Sequence, residues 1–124
     1  MEMLFETRYF WALFAEKDPE YLKRLRLIFD RAQRRLVSSI TIYEIHKLTL
    51  ETEGEIVAEL RVSTIKRDFR VLDVDSEIAM GGARIAHSAR TPMADSLIMA
   101  TAKKLRLPCV TDDPHFKGVK TVWI

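Results

Sequence analysis

Four acidic side chains, Glu6, Glu44, Asp95 and Asp113, lie in four widely separated segments, each at the end of an expected strand or in the first turn of an expected helix. Oxygen donors gathered without the Cys and His spacing of a zinc site favour a hard cation such as Mg²⁺ or Mn²⁺. Such an ion lowers the pKa of bound water and stabilises charge on phosphoryl oxygens, so the chemistry these residue types would support is metal-assisted phosphodiester hydrolysis. Each acid also has a local role to set against this one. Thr41-Ile42-Tyr43-Glu44 fits a capping box, in which the glutamate bonds back to the helix start. Glu6 reads locally as a surface acid ending a strand, and Asp112-Asp113-Pro114 as an Asx turn. Asp95 is the most informative. Met93, Ala94, Leu97, Ile98, Met99, Ala100 and Ala102 make its helix apolar on nearly every side, and a partly buried carboxylate needs a cation, a helix start or an arginine.

Other constellations carry less. His46, His87 and His115 have no i, i+4 partner of the metalloprotease type. His115 falls near the acidic rim, within reach of a phosphate, but a capping or surface role fits it better. Ser88, Ser96 and Thr111 lack an adjacent base, which leaves a serine-type triad unsupported. Gly81-Gly82 has neither the further glycines nor the lysine of a phosphate loop, and reads as helix packing within the small-residue series Ala79, Gly82, Ala83 and Ala86. Trp11 and Trp123 read as core or interface residues.

The elements that must position the acids follow from periodicity and caps. Strands are expected at Met3–Phe5, Leu36–Ser38, Phe69–Val74 and Pro108–Thr111, with a fifth at Thr121–Ile124. Helices are expected over Tyr9–Ala15, from Asp18-Pro19 through Leu36, from a cap at Ser39 or Thr41 to Gly54, over Ile56–Arg67, after a Ser76 cap, and over Met93–Leu105 behind Thr91-Pro92. Alternating strands and helices predict a three-layer α/β/α sandwich around a parallel sheet of four to five short strands. Ligands of such sheets bind outside the carboxyl ends of the strands, and all four acids fall on that rim, Asp95 because its helix returns antiparallel to the fourth strand.

The chain's 124 residues correspond to one domain spanning 1–124, and 48% hydrophobic with 31% charged residues is the composition of a globule with a real core. A net charge of +2 is too small to imply nucleic-acid binding by itself. The basic run from Lys23 to Arg35 is the candidate contact, either as a phosphate-binding face or as a solvated one. The lone Cys109 sits in an apolar run, no stretch reaches the roughly 20 apolar residues of a membrane span, and no basic leader precedes Phe10–Ala15. The cytoplasm is the expected compartment, with no membrane partner.

Taken together, the strand ending in Glu6-Thr7, the Ser38–Glu44 segment, Ala94-Asp95-Ser96-Leu97-Ile98 with Ala100-Thr101-Ala102, and Thr111-Asp112-Asp113-Pro114-His115-Phe116 resemble the PIN-domain ribonucleases, whose small members include the VapC-type toxins. The resemblance covers essentially the whole chain. It implies a Mg²⁺- or Mn²⁺-dependent endoribonuclease with Glu6, Glu44, Asp95 and Asp113 as catalytic residues. Of these, Glu6, Asp95 and Asp113 would hold metal, supported by Thr111 and Asp112. Phosphate contacts would come from Arg8, Lys23 and Arg24. One position departs from the family pattern: Glu6 stands where the family has Asp, and the extra methylene moves the carboxylate by roughly an ångström, a displacement of the size that lowers rates ~100-fold. A catalytically impaired module acting in RNA binding or protein interaction is therefore the alternative. A phosphoacceptor module is disfavoured, since its acid pair would follow the first strand and not the fourth. The resemblance also implies a homodimer and a cognate antitoxin. The first helix supports both, because Tyr9, Phe10, Trp11, Leu13 and Phe14 cover more of its surface than one core-facing stripe requires.

Overall fold

A computed structural model describes residues 1–124. Five strands, β1 (Glu2–Phe5), β2 (Arg34–Ser38), β3 (Arg70–Leu72), β4 (Cys109–Thr111) and β5 (Thr121–Trp123), form one sheet in the order β3-β2-β1-β4-β5, with every pairing parallel. Six helices connect them: α1 (Thr7–Ala15), α2 (Pro19–Arg31), α3 (Ser39–Thr52), α4 (Glu55–Asp68), α5 (Ser76–Ala89) and α6 (Met93–Leu105). A short 3₁₀ turn at Pro114–Gly118 follows β4. The expected α/β/α sandwich is the observed fold.

The period-2 alternation of strand side chains divides the core between the two faces of the sheet. Met3, Phe5, Val37 and Val110 pack on one side with Tyr9, Phe10, Leu25, Ile45 and Ile65 from α1 to α4. Leu4, Leu36 and Cys109 pack on the other with Ile98, Met99 and Ala102 from α6 and with Phe116. On the first side Phe5, Tyr9, Phe10, Phe29 and Phe69 meet edge to face at centroid separations from 4.8 to 5.8 Å. Such pairs add about 0.5–1.5 kcal/mol each beyond area burial. The Tyr9 hydroxyl donates to the Leu25 carbonyl at 3.1 Å, which fixes α1 to α2 and with it the end of β1. Cys109 is buried, and burial pushes its thiol up to about 12, so it is a core residue without redox character. No helix is long and apolar enough to cross a membrane.

The structure corrects several expectations. Helix α2 stops at Arg31, short of Leu36, because Arg34 to Ser38 pair in register with Glu2 to Phe5 and Leu72 to Arg70. Arg35 therefore leaves the basic helix. Its guanidinium donates to the Phe29 carbonyl and stacks 3.6 Å from the Phe29 ring, which ties off the end of α2. Ser38 caps α3 through the Ile40 amide, so Thr41 lies buried inside the helix and the Thr41–Glu44 capping box does not form. Asp75, and not Ser76, caps α5, while Pro92 replaces Thr91 at the start of α6. The third strand shortens to Arg70–Leu72. The packing face of α5 is Ile78, Gly82 and Ile85, whereas Ala79 and Ala83 are exposed. Trp11 and Trp123 stand at the surface.

Candidate metal centre at the carboxyl edge of the sheet

Strand order reverses at β1, since the connections from β1 to β3 run one way and β4 and β5 lie on the other side. Loops leaving β1 and β4 must therefore diverge, and a crevice opens between their carboxyl ends. A cleft of about 610 Å³ occupies that place. Glu6, Glu44, Asp95, Asp112 and Asp113 all line it, together with Thr7, Arg8 and the apolar Trp11 and Leu48. The five acids singled out in the sequence thus share one cavity.

Glu6 follows β1 directly and is only 1% exposed. One carboxylate oxygen, Oε1, accepts from the Thr111 hydroxyl at 2.5 Å, and Oε2 accepts from the Arg8 amide at 3.1 Å, so the residue caps α1. It is no surface acid. Burial pushes its pKa up to about 7; the two hydrogen bonds pull it back in part, and the nearby Asp95 and Asp113 raise it further. Thr111, the last residue of β4, also accepts from the Asp113 amide at 2.9 Å. One hydroxyl therefore joins the ends of β1 and β4 across the crevice.

Glu44 reaches the cleft from α3. Its Oε1 accepts from the Thr7 hydroxyl at 2.6 Å. Thr7 Oγ1 lies 3.0 Å from Thr41 Oγ1, and with its only proton given to Glu44 it accepts from Thr41. The two residues of the expected capping box act instead across the gap between α3 and α1.

Asp95 sits in the first turn of α6 with a side chain 13% exposed. Burial raises its pKa, Asp113 adds to the rise and His115 partly offsets it. Asp113 is 8% exposed and caps the 3₁₀ turn by accepting from the His115 amide at 2.9 Å. The imidazole of His115 folds back, placing Nδ1 3.0 Å from Asp95 Oδ2 and 3.0 Å from Asp113 Oδ1. His115 thus contacts two acids of the centre without lining the cleft itself, where the sequence favoured capping or the surface. Its amide does take part in the cap. The available signal was its position two residues after Asp113 across Pro114, a spacing that a tight turn closes.

Arg8 guards the mouth, its Nε 2.7 Å from Asp112 Oδ1. Lys23 and Arg24 do not line the cleft. Both are exposed on α2, where the Arg24 guanidinium lies 5.0 Å from the Tyr21 ring.

The donor set suits a divalent cation. Asp95, Asp113 and His115 present donor atoms all within 4.8 Å of one another, and the pKa values of Glu6 and Asp95 are raised first by burial and then by the neighbouring carboxylates, a combination that a cation would relieve.

A parallel sheet covered on both faces, with carboxylates gathered in the crevice where strand order reverses, defines a class of α/β domain. The chain belongs to the PIN domain family, whose sequence pattern matches residues 3–122. Among solved structures it is similar to VapBC2 from Rickettsia felis, determined with a DNA fragment from its promoter, at 14% identity over 99% of this chain and 98% of that one, with a TM-score of 0.80. It is also similar to FitAcB from Neisseria gonorrhoeae, at 25% identity over 96% and 95% of the chains and a TM-score of 0.77. A third relative in fold is VapC20 from Mycobacterium tuberculosis, a sarcin-ricin loop cleaving toxin, at 17% identity over 87% of each chain and a TM-score of 0.72. These neighbours share the fold of the chain along nearly its whole length. No curated protein sequence matches it significantly.

Proposed function

We propose that the protein is a Mg²⁺- or Mn²⁺-dependent endoribonuclease and the toxin of a toxin–antitoxin pair, acting as a homodimer in the cytoplasm. The observation that carries this reading is the convergence of Glu6, Glu44, Asp95 and Asp113 from four elements on one cleft. Asp95 and Asp113 would hold the ion, with Glu6 behind them. When bound, the ion would activate a water and stabilise charge on the phosphoryl group. Thr111 keeps the Glu6 carboxylate directed between β1 and β4. Thr7 holds Glu44 at the opposite wall, where its free oxygen is available to accept a proton from an attacking water. Arg8 stands at the mouth as the phosphate contact, able to exchange Asp112 for the RNA backbone. The antitoxin partner is supported by the similarity to VapBC complexes, and the RNA substrate by VapC20, whose own target is the sarcin-ricin loop.

Asp95→Asn keeps the shape and removes the charge. With Mn²⁺ the purified parent should cut RNA, EDTA should stop it, and the variant should be slower by at least ~100-fold, the order expected when a charged group supporting the transition state is lost. Equal rates for parent and variant would remove the assignment.

One observation favours the alternative of a catalytically impaired module. Both oxygens of Glu6 already accept hydrogen bonds from the chain, and its pKa of about 7 leaves it half protonated near neutrality. Glu6→Asp separates the readings. A rise in cleavage would mean that the longer side chain impairs this site, and a fall would mean that the site is built around Glu.

A further inference from the structure

We infer that His115 is a ligand of the ion held by Asp95 and Asp113, and that the site is consequently a mixed nitrogen and oxygen centre that prefers Mn²⁺ to Mg²⁺. The inference rests on the metal-binding reading above and specifies which donors complete it.

Its basis is a coincidence of distances. Nδ1 of His115 is 3.0 Å from one oxygen of Asp95 and 3.0 Å from one oxygen of Asp113. Two donors at adjacent corners of an octahedron with bonds of about 2.1 Å stand about 3.0 Å apart, and opposite corners about 4.2 Å. The two 3.0 Å separations match adjacent corners of such a polyhedron, and all three donor atoms lie within 4.8 Å of one another. A single Nδ1–H has one direction and serves one acceptor well, whereas a nitrogen equidistant from two carboxylate oxygens is placed as a third donor to a shared ion. The backbone prepares this arrangement. Asp113 accepts from the His115 amide, and Pro114 fixes φ between them, so the backbone holds the two residues in one tight turn.

The choice of metal follows from the donors. Carboxylates suit Mg²⁺ and Mn²⁺ alike, but imidazole nitrogen is a donor for transition metals, and Mg²⁺ keeps its waters in preference to it. Replacing one oxygen donor by nitrogen therefore weakens Mg²⁺ relative to Mn²⁺. Neither Glu6 nor Glu44 contributes to this discrimination, since both are carboxylates.

The test uses the full chain, stripped with EDTA and titrated with Mn²⁺, with bound ion followed by loss of the free-ion signal in electron paramagnetic resonance. Electron spin-echo modulation of the bound ion should show nitrogen coupling that changes from ¹⁴N to ¹⁵N in protein grown with ¹⁵N-histidine. The coupling should vanish in His115→Asn, checked for folding by circular dichroism. Mn²⁺ affinity of that variant should fall about tenfold or more, while Mg²⁺, measured by competition, changes less. His46→Asn and His87→Asn should retain the coupling. Bound Mn²⁺ without nitrogen coupling in the labelled parent would overturn the role of His115 and leave the carboxylate centre standing. Failure of the parent to bind Mn²⁺ at all would remove both.

Discussion

Glu6 shows how much one side chain's surroundings decide. By type it is a soluble acid; by position it is sealed at the end of β1, with Thr111 and the Arg8 amide on its two oxygens. Its pKa rises from 4.5 to about 7, chiefly through burial. In metal-free protein the folded state therefore keeps a proton that the unfolded chain loses. Stability should fall as pH climbs from about 4.5 through 7, and the full cost, on the order of 3 kcal/mol, should be present above that range. Asp95, also raised by burial, acts in the same sense. Asp68, lowered by its hydrogen bonds with Arg67, and Asp75, lowered by the Ile78 amide, act oppositely, but Asp75 is exposed and Asp68 half-buried at the surface, so solvent screens both. Urea unfolding in EDTA at several pH values, with Glu6→Gln as reference, isolates the effect. The parent should lose stability relative to the variant as pH rises, and a constant difference would show that the Glu6 charge is not desolvated. The sequence disclosed the four acids but not this environment, since the hydroxyl donors, Thr111 to Glu6 and Thr7 to Glu44, come from elements remote in the chain. The Thr41–Glu44 pattern even pointed to a local cap that Thr7 replaces.

The elements were legible where local chemistry is decisive. Asp18-Pro19 opens α2, because a cap and a fixed φ act within a turn, and α6 keeps its expected bounds, Met93–Leu105, although Thr91 does not cap it. They were not legible where two periods fit the same residues. Leu25, Phe29, Ala32 and Leu36 continue a helical stripe, yet pairing with β1 and β3 claims Leu36 for the sheet. The α5–α6 interface offers a measurable case. A Cβ on Gly82 would lie 2.7 Å from Leu97 Cδ2 and 3.3 Å from Leu97 Cα, so the backbone of α6 as well as a side chain must give. Gly82→Ala should lower stability by about 1–3 kcal/mol. At Gly81 the new methyl meets Ala100 Cβ at 3.4 Å, an ordinary contact, and Gly81→Ala should gain up to about 1 kcal/mol of helix propensity. Chemical denaturation of both variants compares them directly. Equal effects would mean that α6, which carries Asp95, is not held by close approach at Gly82.

At the scale of the whole molecule, strand order could not be read from the sequence, because parallel pairings join segments far apart; yet that order, reversing at β1, creates the cleft. The surplus apolar surface expected on α1 is also redistributed by folding. Tyr9 and Phe10 are buried, Leu13 and Phe14 pack against the core, and only Trp11 remains exposed among the large apolar side chains of that helix. Large exposed apolar residues stand instead on the α3–α4 hairpin: Tyr43 at 63%, Leu50 at 43%, Ile56 at 78% and Leu60 at 61%. Tyr43 and Leu50 are seven apart and Ile56 and Leu60 four apart, so each pair shares one helical face. Scattered exposed apolar residues are ordinary, but two such pairs on one hairpin make it the candidate interface of the proposed homodimer, in which each copy would present the same residues to the other. Light scattering at micromolar concentration should then give a mass about twice the 14.4 kDa of the chain. Replacing Ile56 and Leu60 together by Glu should return the mass to that of one chain, without loss of helical signal, because both residues are exposed. A parent mass near 14.4 kDa would exclude the homodimer, and a dimer that survives both substitutions would place its interface away from this hairpin.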